Sequence, residues 1–354
     1  MSSLPHFYYS PAILGYDLGP NHPLRPERLR RTIELLGRYG VEPIDPGQGI
    51  VEDLLRVHDE EYVEDVRTGG TAEFGFGRGD NPAFPGMWEA SLAYVSATVK
   101  AAEAIRDGAP LAFAIGGGLH HAQRRKASGF CIFDDPAIAC HILLERFERV
   151  AYVDIDVHHG DGVQWIFYEE PRVLTCSIHE EGRTLFPGTG FVEETGVDHT
   201  SLNVPLMAYT TGDVWLDAFE RGILPGLANF QPQAIVLQMG TDTHRDDPLG
   251  HIKSGVQSWL DAVKRVKNLG LPIVAVGGGG YNMTTVPRMW TAACLTLGGI
   301  DFEDSVPEDL GERWGMPTYS DNDVEEKGIG RQFADGIIGW LEANFFPLQK
   351  GLRP

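Results

Sequence analysis

Basic residues are scarce and never clustered: 29 Lys and Arg stand against 50 Asp and Glu, a formal net charge of −21, with no Lys/Arg-rich block. Such a chain lacks the cationic footprint that nucleic-acid binding needs, so no nucleic-acid partner is expected. The acidic surplus serves mainly solubility, with cationic peptides as the partners it could favour. Cysteine is also sparse. Cys131, Cys140, Cys176 and Cys294 are widely spaced without a C-x-x-C pair, which argues against a disulfide framework or a thiolate zinc knuckle and leaves buried thiols. No apolar run reaches the roughly 18 residues of a membrane span. The opening MSSLPHFYYSPAILG has no basic segment followed by an apolar core. A cytoplasmic location and no membrane association are therefore expected. No repeat, low-complexity tract or Pro/Gly/Ser linker divides the chain, so residues 1–354 read as one domain. Nothing in these patterns fixes an oligomeric state.

What is present is an alternation of two periodicities. Helical patterns run through Pro26–Leu36, Met87–Arg106, Pro136–Phe147, Val214–Leu227, Val256–Val266, Val286–Leu297 and Phe333–Phe345. Between them lie short apolar runs without helical period, at Leu111–Ile115, Val150–Val153, Val173–Ile178, Ala234–Leu237 and Ile273–Val276. Buried strands alternating with amphipathic helices predict an α/β fold: one open, mostly parallel sheet with helices on both faces.

Four of these strands end in polar or glycine-rich segments: Gly116–His121, Asp154–Gly162, Gln238–Asp242 and Gly277–Tyr281. Open α/β sheets place their ligand crevices beyond the carboxyl ends of strands, so the four segments are expected to converge on one site. The stretch VDIDVHHGDG, Val153–Gly162, is the most telling, with three carboxylates and two imidazoles at the exit of an apolar strand. Burying such a cluster requires a compensating cation or a dense polar network. In an extended strand Asp154, Asp156 and His158 would share one face. Asp156, His158 and Asp242 make a plausible metal triad with a coordination position left for water; the donors suit Zn²⁺ and would accept Fe²⁺ or Mn²⁺. His120 and His121 suit general acid/base work, with Asp154 and Asp161 available to fix their tautomers. Tyr281 could donate its phenol to a developing oxyanion. Gly277–Gly280 lacks phosphate-loop spacing, and its glycines read as permitting close backbone approach around a narrow site.

In combination and order, HPLRPERLR (22–30), GGGLHHA (116–122), SGFCIFDDPAIA (128–139), VDIDVHHGDGVQ (153–164), FPGTG (186–190), LQMGTDTH (237–244) and GGGGYN (277–282) resemble a known family over nearly the whole chain. It is that of the zinc-dependent histone deacetylases and their bacterial acetoin-utilisation-type relatives, within the arginase/deacetylase fold. The resemblance implies that Asp156, His158 and Asp242 ligate zinc, that His121 is the general base paired with Asp161, that His120 pairs with Asp154, and that Tyr281 is the oxyanion donor. It further implies an acyl-lysine channel with Phe130, Phe186, Leu249 and Gly279 at its wall and Asp80 at its rim, and Arg28 in a cavity behind the metal. A structural K⁺ held by Asp154, Asp156, His158, Ser177 and Ile178 is implied likewise. Leu185 and Asp134 depart from the pattern, standing where many relatives have an aromatic residue and an asparagine.

The activity so implied is metal-dependent removal of acetyl groups from protein or peptide lysine side chains. A small acetylated amine such as an acetylpolyamine is the alternative substrate: Leu249 at the channel wall speaks against it and Asp80 for it. An arginase-like binuclear manganese hydrolase is disfavoured, because the segment ending at Asp242 offers one carboxylate where a second metal would want two. A catalytically inactive binding module would have no need of the full set of ligands, histidines and Tyr281.

Overall fold

The computed structural model describes residues 5–77, 79–321 and 326–349; residues 1–4, where the reading of the N-terminus begins, lie outside them. Its strands are β1 (His6–Phe7), β2 (Leu111–Ala114), β3 (Val150–Asp154), β4 (Val173–Glu180), β5 (Ser201–Leu206), β6 (Ala234–Gln238) and β7 (Ile273–Val276). They form one sheet in the order β1-β2-β7-β6-β3-β4-β5, and every pairing is parallel. In β3 to β7 every residue is buried, whichever way its side chain points, so helices and loops cover both faces as a parallel sheet demands. A fully buried Val, Ile or Leu contributes about 1.5–3 kcal/mol, and that apolar body lets the strand ends carry charge.

The five apolar runs are all strands. β5 is a further strand that shows no apolar run, because Ser-Leu-Asn-Val-Pro-Leu carries Asn203 and Pro205. It lies at the sheet edge, where a missing N–H is tolerated. The two-residue β1 forms the other edge. The helix expected over Val214–Leu227 is three pieces, Gly212–Ala218, a wider π turn at Phe219–Ile223, and Leu224–Phe230. Pro225 at the start of the last piece cannot donate into the preceding turn, which breaks the regular ladder. Met87–Arg106 is one helix as expected; it packs on β2, β7 and the helix Asp135–Leu143. Among the described residues no helix is long and apolar enough to cross a membrane.

The strands that precede the four polar segments, β2, β7, β6 and β3, are consecutive in the sheet and parallel, so their carboxyl ends share one edge. The exit of β6 is pinned there by two indoles, Trp290 Nε1 donating to the Met239 carbonyl and Trp259 Nε1 to that of Gly240, each at 2.8 Å.

Asp321 fastens the same region from outside. Its carboxylate accepts from the Val256 N–H at 2.8 Å, capping the helix Val256–Lys267, and meets His244 Nε2 and Arg288 Nη2, each at 3.2 Å. Burial works against its charge, yet these partners hold its carboxyl below the ordinary range. A depressed carboxyl contributes stability that is present above its unfolded pKa, about 3.9, and lost as pH falls through the folded value. Asp321→Asn is therefore expected to cost about 1.5–3 kcal/mol at pH 7 by denaturant titration, with the gap to wild type narrowing below about pH 4.

Candidate active site

Past β3 the chain leaves the sheet at Asp154, so the alternating residues that follow do not sit on a strand face. Their spacing serves local bonds instead. Asp154 Oδ1 accepts from the Asp156 N–H and Asp156 Oδ1 from the His158 N–H, each at 3.0 Å, two successive side-chain-to-backbone turns. These turns bring Asp156 and His158 inward, where Asp242 meets them from the exit of β6. His158 Nδ1 lies 3.1 Å from Asp156 Oδ1 and 3.1 Å from Asp242 Oδ2. Among the described residues this is the one such group of potential metal ligands, with ligand atoms within 4.8 Å of one another.

The surroundings hold the two carboxylates in place. Asp156 Oδ2 accepts from Gly279 N at 2.7 Å and Gln238 Nε2 at 2.8 Å, and Asp242 Oδ1 from Val157 N at 2.9 Å. A Cβ on Gly279 would stand 2.1 Å from Asp242 Oδ2, so only glycine fits. Gly279 thus lies against the carboxylates. Burial and then the neighbouring Asp156 charge push the Asp242 carboxyl up to about 7. Burial disfavours charge on His158, yet hydrogen bonds to Asp156 and Asp242 raise it to about 10. The protein alone supplies a proton where the two carboxylates call for positive charge. Two carboxylate oxygens and an imidazole nitrogen converging on that point fit a divalent cation.

Two buried dyads stand beside this group. His120 Nδ1 lies 2.7 Å from Asp154 Oδ2, which also accepts the Tyr152 hydroxyl at 2.6 Å. His121 Nδ1 lies 2.6 Å from Asp161 Oδ1, and the two Nε2 atoms face each other at 3.0 Å. Burial opposes charge on both imidazoles, but Asp154 and Asp156 bring His120 up to about 9, whereas the positive charges of His120 and His158 add to burial in lowering His121. Burial brings Asp161 up to about 7. Environments that push paired groups apart in this way suit one to hold a proton and the other to accept one.

Phe186, 40% exposed, stands with its ring 4.9 Å from that of His121, and Phe130 packs edge-on to Tyr281 at 5.8 Å. One ring thus packs on the dyad side and the other on the Tyr281 side of the buried groups. Phe130 has a left-handed backbone, φ 69°, and its carbonyl accepts the Tyr16 hydroxyl at 2.8 Å. The His22 ring packs on Phe130 at 4.4 Å and feels the charge of exposed Asp80. Burial, then the Asp242 and Asp156 charges, raise Tyr281, so its hydroxyl stays a donor. Leu249 is half-buried. Arg28 is buried behind the glycine turn, Nη1 donating to the Gly278 and Gly280 carbonyls at 2.8 and 3.0 Å. Ser177 and Ile178 are buried on β4, Ser177 opposite Asp154 in the register.

Sequence reading places Gln238 in a converging segment without a role and gives none to Gln123 or Asp247. Gln123 Nε2 donates to Asp161 Oδ2 at 2.9 Å. Gln238, a buried amide ending an apolar strand, carried the one usable signal. The divergent Asp134 caps the helix Asp135–Leu143 through Oδ1, while Oδ2 is buried without a partner. Burial pushes its carboxyl well up, and the side chain is close in shape to asparagine.

The family model described as "Histone deacetylase domain" matches residues 22–297. The chain is 37% identical over 331 residues to the acetoin utilization protein AcuC of Bacillus subtilis (strain 168), covering 87% of this chain and 86% of the relative. It is 35% identical over 359 residues to the histone deacetylase clr6 of Schizosaccharomyces pombe, covering 96% and 88%. Crystal structures of an HDAC homolog complexed with SAHA and of an HDAC homolog from Aquifex aeolicus each superpose with a TM-score of 0.87 at 27% identity, over 95% of this chain and 99% of theirs.

Chelator-treated protein resupplied with zinc is expected to retain about one equivalent per chain by elemental analysis, and Asp242→Asn to retain much less. Two tightly held equivalents would mean a second centre.

Proposed function

The chain belongs to the histone deacetylase family, and on that premise we propose that it hydrolyses the acetyl amide of lysine side chains in cytoplasmic proteins or peptides. The observation that carries this reading is the pairing of one three-ligand group with two buried His–Asp dyads whose imidazoles are pushed in opposite directions. Residues 1–354 act in it as one catalytic domain, in keeping with an apolar core cluster that runs from Phe7 to Phe345.

Asp156, His158 and Asp242 would hold the catalytic cation, Zn²⁺ by preference with Fe²⁺ compatible, which when bound polarises the acetyl carbonyl and acidifies a neighbouring water. His121, neutral and tied through Nδ1 to Asp161, takes the proton of the attacking water at Nε2. Water oxygen bonds to the acetyl carbon, and the Tyr281 hydroxyl donates to the oxyanion that develops. His120, held by Asp154, keeps the proton that the leaving amine takes as the C–N bond breaks, giving lysine and acetate. Phe130, Phe186 and Leu249 would enclose the lysine methylenes, Asp80 the rim, and Arg28 would stiffen the turn bearing Tyr281. Asp154, Asp156, His158, Ser177 and Ile178 would hold a structural K⁺ beneath the site.

The test is acetate release from an acetyl-lysine peptide by the zinc-reconstituted protein. His121→Ala is expected to lower kcat by about 10²–10⁴-fold with metal content unchanged. A higher kcat/KM on an acetylated polyamine than on the peptide would move the substrate class to small amines. No release from either would remove the activity.

A further inference from the structure

Tyr281 follows a turn that has little stiffness of its own, with Gly278 and Gly280 at φ 130° and 128°. Its place depends on what grips the turn from outside. Arg28 holds the carbonyls of Gly278 and Gly280. One residue later, Asn282 Nδ2 donates to the Asp246 carbonyl at 3.0 Å. Among the described residues, only Asp247 grips the backbone of Tyr281 itself. Its Oδ2 accepts the Tyr281 N–H at 2.7 Å, while its Oδ1 accepts the Leu249 N–H at 3.0 Å. Asp247 is buried, 5% exposed, and its own N–H donates to the His244 carbonyl at 2.9 Å. One carboxylate thus spans two loops and ties the phenol and Leu249 to the segment that carries Asp242.

We propose that Asp247 is the positioning residue for Tyr281: it sets where the phenol hydroxyl stands without touching substrate. This rests on the reading of Tyr281 as oxyanion donor. Among the described residues none hydrogen-bonds the Tyr281 hydroxyl, so its direction is set by the backbone and by packing on Phe130. A displacement of about 1 Å at such a group can cost about 10²-fold in rate. The plainer alternative is that Asp247 only closes a local turn onto Leu249, two residues on.

A double-mutant cycle on the full-length, zinc-reconstituted protein separates the two. With one amide oxygen left for two N–H donors, Asp247→Asn cannot keep the grip on both loops intact. It is expected to lower kcat on an acetyl-lysine peptide by about 10-fold or more, with KM changing less than about threefold. In a Tyr281→Phe background, where the hydroxyl is already gone, the same substitution should change kcat by less than about twofold. In the metal-free protein, amide hydrogen exchange over residues 279–283 should quicken in Asp247→Asn and stay unchanged in Tyr281→Phe. An equal kcat loss in both backgrounds, or unchanged exchange, would overturn the proposal and leave Asp247 a structural residue. If Tyr281→Phe alone left kcat intact, the oxyanion reading would fall, and the role for Asp247 with it. Should Asp247→Asn not fold, Asp247→Glu takes its place in the same cycle with the same expectations.

Discussion

The structure turns on a debt of positive charge at one edge of the sheet. Asp154, Asp156 and Asp242 are fully buried within a few residues of two strand ends, where an uncompensated carboxylate is strongly destabilising. The chain answers with backbone N–H groups from Asp156, Val157, His158 and Gly279, with the Gln238 amide, and with the imidazoles of His120 and His158. Glycine at 279 keeps the backbone close enough to donate. Between Asp156, His158 and Asp242 the protein alone meets this demand with a proton, and the convergence of three ligand atoms on that point is the argument for a cation.

The same field differentiates the two histidines, adjacent in sequence and joined Nε2 to Nε2. Burial opposes charge on both, but the Asp154 and Asp156 charges raise His120, whereas burial and then the positive charge of His120 lower His121. Proposed donor and proposed base thus follow from one charge distribution, with Tyr152 donating to the same Asp154 oxygen that meets His120 and Gln123 donating to the Asp161 oxygen turned away from His121. The outer supports act at longer range. Asp321 and the indoles of Trp259 and Trp290 steady the segment from β6 to Asp242, while Arg28 and Asp247 steady the turn before Tyr281.

How far the sequence discloses this depends on how local each feature is. Val150–Val153 and Ala234–Leu237 are strands because continuous β-prone apolar runs can bury both faces, and that is visible in the residues themselves. The convergence of four polar segments was also legible, since parallel strands share the edge at which they end. Alternation of Asp154, Asp156 and His158 was visible but meant successive turns rather than a strand face. β5 was hidden by Asn203 and Pro205, acceptable only because that strand is at an edge, which no local pattern reveals. Asp321, 77 residues from His244, and Asp247, 34 from Tyr281, act through bonds that exist only once the chain has folded. The resemblance to deacetylases compressed such non-local information for the ligands and dyads, but it implied no role for Asp247 or for Gln238, although Gln238 lies within one of its motifs.

The central claim, that one divalent cation completes the buried carboxylate cluster, is tested most directly by X-ray absorption spectroscopy of the zinc-loaded protein. The account predicts a first shell of nitrogen and oxygen at about 2.0–2.2 Å that includes one imidazole, and no metal neighbour. A sulfur shell at about 2.3 Å, or a second metal at about 3.5–4 Å, would contradict it.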